Sequence, residues 1–173
     1  MVNELYADVF ARNYNFKTIG LRYFNIFGRR QDPDGAYAAV IPRWFMELID
    51  NEPININGDG ETSRDFCYID NCVQANILAA TAVDEKALNQ VYNVAFGERT
   101  SLNELFKFIK DRVSDSNTQI KEAEPVYRDF RAGDVLHSLA DISKARDLLG
   151  YDPEFSVKAG LDRASDWYLK NLK

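Results

Sequence analysis

The chain has 173 residues, of which 46% are hydrophobic, 13% aromatic and 28% charged. This length suits one ordinary domain, and the composition excludes disordered, collagen-like and linker sequences. The net charge of −6 argues against binding along a nucleic-acid backbone, because such binding needs a basic face.

The cysteines, the histidine and the apolar runs of the sequence limit the classes of site and the cellular location that can be expected. Cys67 and Cys72 form no CxxC pair, and a lone histidine, His137, cannot complete a zinc site. No apolar run approaches the roughly 18 residues of a transmembrane helix. The sequence therefore predicts a cytoplasmic protein with no membrane, metal or nucleic-acid partner.

The first predicted elements are a helix and a strand. Spacing typical of an amphipathic helix places five apolar residues on one face: Val2, Leu5, Tyr6, Val9 and Phe10. This apolar stripe is expected to pack against another apolar surface, and core packing within one chain is one interpretation. Residues 18–27 then form a nearly continuous apolar run that predicts a strand covered on both faces.

A loop and a small accessory unit follow this strand. Residues 28–35 are rich in turn formers and predict a loop at the carboxyl end of the strand, where open α/β sheets bind ligands. A helix is predicted over residues 40–50. Two short strands, at residues 54–57 and 64–69, are expected to form the accessory unit.

The remaining elements again alternate. Asp70 is expected to cap a helix, and residues 91–96 predict a buried strand. Ser101 to Glu104 has the pattern of a capping box. After a strand-like segment, helices are predicted from Ser143 and over residues 157–172. The whole is typical of a layered α/β sheet interleaved with a small mixed lobe.

Polar clusters next to glycines and strand ends are the candidate sites. Two arginines from separate loops could clamp a diphosphate, because the guanidinium fork matches phosphate oxygens. Asp134 could accept hydrogen bonds from ribose hydroxyls. By spacing alone, ordinary surface loops are the favoured interpretation.

Four ordered stretches are more distinctive than these spacings. They are LRYFNIFGRRQ at 21–31, GAYAAVIP at 35–42, GDGETSRDFCYI at 58–69 and RAGDVLHSLAD at 131–141. Together they resemble the extended short-chain dehydrogenase/reductase family. Within it, they are most similar to UDP-N-acetylglucosamine 4-epimerases and UDP-N-acetylglucosaminuronate 4-epimerases of surface-polysaccharide synthesis.

The resemblance implies a reaction and a first set of binding residues. It implies that NAD removes a hydride from C4 of a UDP-sugar and returns it to the other face. By the same likeness, Asn25, Arg64 and Arg131 hold the diphosphate and Asp134 holds the ribose.

The resemblance also implies residues around the base and the sugar. Gln31, Ala39 and Ser138 would line the nucleotide-sugar pocket, and the uracil would lie near Ile54 to Ile56. A small residue at position 138 would leave room for a 2-N-acetyl group, whereas a bulky one would exclude it.

Two motifs of this family are missing from the sequence. None of the nine glycines forms GxxGxxG or GxGxxG, the turn that places backbone amides against a cofactor pyrophosphate. No tyrosine has a lysine four residues later, so the usual catalytic base is absent. We therefore expect no catalytic residue and little NAD binding in this chain alone.

The expected architecture is the C-terminal portion of a Rossmann-type parallel sheet with a small mixed α/β substrate-binding lobe. We expect one truncated unit, in which residues 1–28 and 71–100 are the remaining Rossmann elements. Residues 29–70 and 101–173 would belong mainly to the substrate-binding lobe. The resemblance implies that the intact protein is a homodimer that binds a UDP-sugar, in which the apolar stripe of the first helix would be half of the dimer interface unless it packs within its own chain.

Two alternatives stay open. The chain could be a stand-alone, non-catalytic module for UDP-sugar binding or dimerisation. It could also derive from a sugar-nucleotide dehydratase or decarboxylase of the same family.

Overall fold

The computed structural model describes residues 2–35 and 40–172. The helices in these ranges are α1 (Val2–Tyr14), α2 (Val40–Ile49), α3 (Ile69–Ala80), α4 (Leu102–Ser114), α5 (Ser143–Leu149) and α6 (Val157–Asn171). The strands are β1 (Ile19–Tyr23), β2 (Ile26–Phe27), β3 (Asn55–Asn57), β4 (Ser63–Arg64), β5 (Cys67–Tyr68), β6 (Gln90–Val94), β7 (Thr100–Ser101) and β8 (Val126–Arg128). A short 3₁₀ helix covers Thr118–Glu122.

Parallel pairing dominates the strands. β1 pairs in parallel with β6, with Ile19 opposite Gln90 and Tyr23 opposite Val94. β2 pairs in parallel with β5, and β3 in parallel with β8, whereas β4 and β7 are antiparallel. Because parallel pairs need crossover connections and helices cover them, the predicted α/β class is confirmed.

The predicted strand over residues 18–27 is divided in two. Asn25 has a φ of 31°, and a backbone in this region cannot continue a strand. The amide of Phe24 still donates to the carbonyl of Val94 at 3.0 Å, after which β2 leaves β6 and pairs with β5. The break therefore moves the chain from one strand pair to another just before the predicted binding loop.

The predicted accessory strands also have partners other than each other. Residues 54–57 pair with β8, and residues 64–69 divide into β4 and β5, which pair with β7 and β2. The prediction that Asp70 caps α3 is wrong, since Tyr68 is the N-cap residue and no side chain caps the helix. The carboxylate of Asp70 lies in the first turn, where the helix dipole favours a negative charge.

Two local predictions are confirmed at helix ends. The Ser101 hydroxyl accepts from the amide of Glu104, and the Glu104 carboxylate accepts from the amide of Ser101, which completes the capping box of α4. Helix α5 ends at Gly150, which has a left-handed φ of 69°.

Two hydrophobic clusters hold the elements together. In the first, α2, α4 and α6 pack around Phe27, Ile56 and Tyr68. In the second, α3 and α5 pack against β1 and β6, with Tyr92 and Tyr151 fully buried. Ile69, at the start of α3, contacts both clusters and connects them.

Helix α1 stands apart from both clusters. None of its residues is buried, and its apolar stripe is 40% to 67% exposed. The guanidinium of Arg22 on β1 donates to the carboxylate of Glu4, with N–O distances of 2.6 and 2.7 Å. Among residues 2–35 and 40–172, core packing within the chain therefore does not account for the stripe. In the same ranges, the helices lack the length and apolarity needed to cross a membrane.

Candidate functional site

A cavity of about 920 Å³ lies between α2, β3 and the segments that follow β1 and β4. Its polar lining consists of Asn25, Gln31, Asn55, Asn57, Thr62, Arg64 and Asp134. Its apolar and aromatic lining consists of Tyr23, Ile26, Phe27, Val40, Ile41, Trp44, Ile56, Phe66 and Leu102. A mostly apolar wall with a few convergent polar groups is typical of small-molecule sites.

The structure brings five of the nine predicted binding residues to this cavity. They are Asn25, Gln31, Ile56, Arg64 and Asp134. The elements that supply them are distant in sequence, since Asn25 follows β1, Arg64 belongs to β4 and Asp134 precedes α5. A local sequence pattern does not produce this convergence, so it reflects the tertiary fold.

The other predicted residues lie elsewhere. Arg131 lines a second cavity of about 460 Å³, which shares Thr62 and Asp134 with the first. Ile54 is 1% exposed and packs into the first hydrophobic cluster beside the cavity. Ser138 is half-buried and lines neither cavity. Ala39 falls outside the described residues.

Asn25 is held at the cavity by its own side chain. Its Nδ2 donates to the carbonyl of Asp65 at 3.1 Å, and its carbonyl accepts from the amide of Cys67 at 3.2 Å. Asparagine tolerates the left-handed backbone that this position requires. The residue is exposed, so a bound ligand could reach its amide group.

Gln31 has one satisfied and one unsatisfied end. Its Nε2 donates to the carbonyl of Ile26 at 3.1 Å, which fixes the plane of the amide group. Its Oε1 is buried and has no hydrogen-bond partner among the described residues. Because an unpaired buried acceptor is costly, this oxygen is suited to accept a hydrogen bond from a ligand in the cavity.

The guanidinium group of Arg64 uses only one of its nitrogens in hydrogen bonds to the part of the protein that the structure describes. Its Nη1 donates to the carbonyl of Ser63 at 2.9 Å and to that of Leu136 at 3.4 Å. Within the described ranges, no carboxylate forms an ion pair with it. The remaining N–H groups can therefore bind an anion such as a diphosphate.

A turn with two glycines connects residues that line the two cavities. Gly58 and Gly60 have φ angles of 82° and 81°, a backbone conformation that residues other than glycine rarely adopt. A Cβ atom on Gly58 would lie 2.4 Å from the Phe130 ring, and one on Gly60 would lie 1.9 Å from Asn103 Oδ1. Asn103 also donates to the carbonyl of Asp59 at 3.1 Å. The turn is thus fixed by both backbone conformation and close contact.

Much of the apolar wall escapes sequence analysis. Ile41 and Trp44 lie on α2 with helical spacing, which predicts a core face and gives no indication of a site. Phe66 lies between β4 and β5, in a segment that predicts an ordinary strand. The position of α2, directly after the loop at a strand end, is the one sequence signal that could have identified Ile41 and Trp44 as lining residues.

The N-termini of helices α3 to α6 do not fit the pyrophosphate of NAD. Such a group needs free amides at a helix N-terminus reached through a glycine-rich turn. Helix α3 follows β5 without an intervening loop, and the first turns of α4 and α6 are capped by Ser101 and Ser156. Ser143 at the start of α5 donates its amide to Asp141. We therefore derive no hydride-transfer step from these residues.

Comparisons with known proteins agree with this geometry. A UDP-glucose 4-epimerase from Thermotoga maritima, solved with UDP-glucose, is similar at 37% identity and a TM-score of 0.88, over 99% of this chain and 52% of that one. A UDP-N-acetylglucosamine 4-epimerase from Methanobrevibacter ruminantium, in complex with UDP-N-acetylmuramic acid, is similar at 38% identity and a TM-score of 0.85, over 96% and 51%.

Curated relatives add one further activity. A UDP-N-acetyl-alpha-D-glucosaminuronate decarboxylase from Bacillus cytotoxicus is 29% identical over 86% of this chain and 45% of its own length. The chain spans about half the length of the curated relatives it matches. The profile of the NAD dependent epimerase/dehydratase family matches residues 1–95. The chain belongs to the NAD dependent epimerase/dehydratase family.

Proposed function

We propose that this chain is the UDP-sugar-binding part of an NAD-dependent UDP-N-acetylhexosamine 4-epimerase of surface-polysaccharide synthesis. The observation that carries the proposal is the convergence of Asn25, Arg64 and Asp134 at the rim of one large cavity. The cavity combines a cation for a phosphate, a carboxylate for hydroxyl groups and an apolar wall, which are the three features that a nucleoside diphosphate sugar requires.

Each part of the ligand has a matching group. Arg64 and Arg131 would bind the diphosphate from two sides, since they line two cavities that share Asp134. The Asp134 carboxylate would accept from the ribose hydroxyls. The uracil would lie against Ile56, where the side chains of Asn55 and Asn57 offer donors and acceptors for its polar edge.

The N-acetylhexosamine assignment is supported by the sequence resemblance, which includes the small residue Ser138. Its amide donates to the carbonyl of Ser63 at 3.1 Å, so the backbone at this position is fixed while the side chain occupies little space. A similar protein is an epimerase of UDP-N-acetylglucosamine. Because Ser138 lines neither cavity, its small side chain supports this assignment through the resemblance and not through contact with the cavity.

Two other functions have support. A decarboxylase among the relatives favours a sugar-nucleotide decarboxylase of the same family. A UDP-sugar-binding or dimerisation module without catalysis would use the same cavity and the exposed apolar stripe of α1. The ligand site is the same in all three cases, whereas the products differ.

Calorimetric titration tests the binding site directly. The chain would be titrated with UDP, UDP-N-acetylglucosamine, UDP-glucose, CDP and NAD. We expect weak binding of the UDP compounds, weaker binding of CDP and no detectable binding of NAD. Tight NAD binding would contradict the proposal, and equal binding of CDP and UDP would remove the uracil assignment.

Product analysis distinguishes the reactions. It requires a longer version of the protein that contains a glycine-rich turn and a Tyr-x-x-x-Lys pair, incubated with UDP-N-acetylglucosamine and with its uronic acid. A C4-epimer is the expected product. A 4-keto sugar or release of carbon dioxide would favour the dehydratase or decarboxylase instead.

A further inference from the structure

Asp65 is a buried carboxylate whose partners are backbone amides. It is fully buried, and its Oδ1 accepts from the amide of Phe96 at 3.0 Å. Its Oδ2 accepts from the amides of Gly97 at 3.1 Å and Ala140 at 3.2 Å. Within the described ranges, no lysine or arginine forms an ion pair with it. Burial raises the pKa of Asp65 above its usual range, although the three amides act in the opposite direction.

Burying a carboxylate in this position costs free energy of desolvation, so its presence needs a structural explanation. Removing a charge from water costs several kcal/mol when no opposite charge compensates it. A serine or an asparagine at this position would avoid that cost. The three amides that Asp65 accepts from belong to two segments that are distant in sequence, one after β6 and one before α5. The carboxylate therefore acts as a cross-link between segments.

The cross-link continues a strand pairing that the backbone bonds do not extend. Ser63 and His137 form a parallel bridge, in which the amide of Ser63 donates to Leu136 at 2.9 Å and the amide of Ser138 donates to Ser63 at 3.1 Å. In a parallel ladder, the next donor, Ala140, would bind the carbonyl of Asp65.

In this structure that carbonyl bonds to a side chain instead. It accepts from Nδ2 of Asn25 at 3.1 Å. The side-chain carboxylate of Asp65 takes its place and accepts from Ala140 instead. Asp65 thus uses its carbonyl to hold one side of the cavity and its carboxylate to hold the segment that supplies the other side.

We propose that Asp65 is a positioning residue of the nucleotide-sugar site. It fixes the segment 131–140, which carries Asp134 and Ser138, against Arg64 and Asn25. Asp65 itself does not line the cavity, so it acts through these neighbours. The identity of the ligand rests on the proposed function, whereas the fixing of the segment does not.

The substitution Asp65→Asn tests this role with almost no change in volume. Its Oδ1 can still accept from Phe96 and Gly97, but its Nδ2 would face the amide of Ala140, and two donors cannot bond to each other. We expect hydrogen exchange of the amides in segment 131–140 to become about 10-fold faster. The Kd for UDP should rise about 10-fold, the change that loss of one charge-assisted hydrogen bond produces.

The opposite substitution, asparagine to aspartate, at another buried position serves as the matched control. Asn71 is 2% exposed, accepts from the amide of Phe155 at 3.1 Å and donates to its carbonyl at 2.8 Å, away from both cavities. Asn71→Asp removes the donor and destabilises the fold, but it should leave exchange in segment 131–140 and the Kd for UDP unchanged. A general loss of stability would affect both variants alike.

The two measurements separate this inference from the proposed function. Unchanged exchange in segment 131–140 of Asp65→Asn would overturn the positioning role, and so would equal effects of both variants. If the wild-type chain does not bind UDP, the proposed function fails while the exchange result still decides the role of Asp65. If Asp65→Asn does not fold, an ester in place of the amide between Leu139 and Ala140 removes that single donor, and the same comparison applies.

Discussion

The hydroxyl of Tyr168, on the last helix, donates a hydrogen bond of 2.8 Å to the carbonyl of Gly28, at the start of the cavity loop. Both residues are buried, and they are separated by 140 positions in the sequence. Gly28 has no room for a side chain, because a Cβ atom would lie 2.4 Å from Ile69 Cγ2. The C-terminal helix therefore holds the backbone from which the loop with Gln31 begins.

Tyr168→Phe should destabilise the fold by about 1–2 kcal/mol, because the buried carbonyl of Gly28 loses its shorter hydrogen bond and keeps only the one of 3.4 Å from the amide of Gln31. Urea unfolding followed by circular dichroism measures this change. The matched control is Tyr127→Phe. The Tyr127 hydroxyl donates to Asn103 Oδ1, but Tyr127 is 52% exposed, so water can replace the lost hydrogen bond. Equal effects of the two substitutions would show that the bond to Gly28 is not important for stability.

Arg64→Ala and Arg131→Ala should each weaken UDP binding by roughly 1.5–3 kcal/mol, the value of a hydrogen bond to a charged group. The loss should be greater for Arg64, because it lines the larger cavity and is less exposed than Arg131. Isothermal titration of UDP measures both changes. Lys158→Ala on α6 removes an exposed positive charge away from the cavities and should have no effect. An unchanged affinity after either arginine substitution would remove that residue from the site.

The extent to which the sequence predicts the structure depends on how local each cause is. The capping box at Ser101 and the glycine end of α5 follow from neighbouring residues, and both are confirmed. The break at Asn25 does not, because its left-handed backbone is stabilised by the distant carbonyl of Asp65. Sequence periodicity contains no information on such a partner.

In the site, too, sequence motifs identify some residues, whereas others depend on tertiary packing. Motifs selected Asn25, Arg64 and Asp134, which the fold brings to one cavity. The motifs did not indicate that Trp44 forms its wall, because a helical apolar face predicts core packing wherever it lies. Nor did they indicate Asp65, whose partners become neighbours only when segments separated by more than 30 residues pack together.

Gly60→Ala should destabilise the chain more than Gly133→Ala. The two glycines have nearly equal φ angles of 81° and 82°, so each substitution incurs roughly 1–2 kcal/mol of left-handed strain. At Gly133 nothing lies within 4 Å of the new methyl group, whereas at Gly60 it would overlap the amide of Asn103. The difference between the two unfolding free energies isolates the cost of displacing Asn103. Equal free energies would mean that Asn103 moves away without cost.

Alkaline pH should destabilise the protein through Cys67. Burial raises the pKa of this thiol from 9.0 to about 12. Between these values the folded state retains a proton that the unfolded state has released, so stability falls as pH rises above about 9. From pH 8 to pH 10, the wild type should lose about 1.4 kcal/mol more than Cys67→Ala does.

Unfolding by urea at several pH values under reducing conditions measures this difference. The range stops at pH 10 because burial also raises the pKa values of Tyr151 and Tyr168, which add their own alkaline losses above that point. Cys67→Ala lowers stability at every pH by leaving a cavity, so the slope against pH is the informative quantity. Parallel slopes for the two proteins would contradict the assignment to Cys67.

The apolar stripe of α1 should mediate self-association of the chain. Leu5 is 67% exposed and Tyr6 is 63% exposed, which is unusual for large apolar side chains arranged along one helix face. In a symmetric dimer the same stripe would pack against its copy.

Leu5→Glu should therefore convert a dimer into a monomer, measured by sedimentation velocity, because each dimer would bury two carboxylates. Its unfolding free energy, measured at low concentration, should hardly change, because Leu5 has few contacts within its own chain. Val83→Glu is the matched control, since Val83 is 91% exposed and lies outside the stripe. A wild-type chain that sediments as a monomer at high concentration would contradict the proposed homodimer contact at α1.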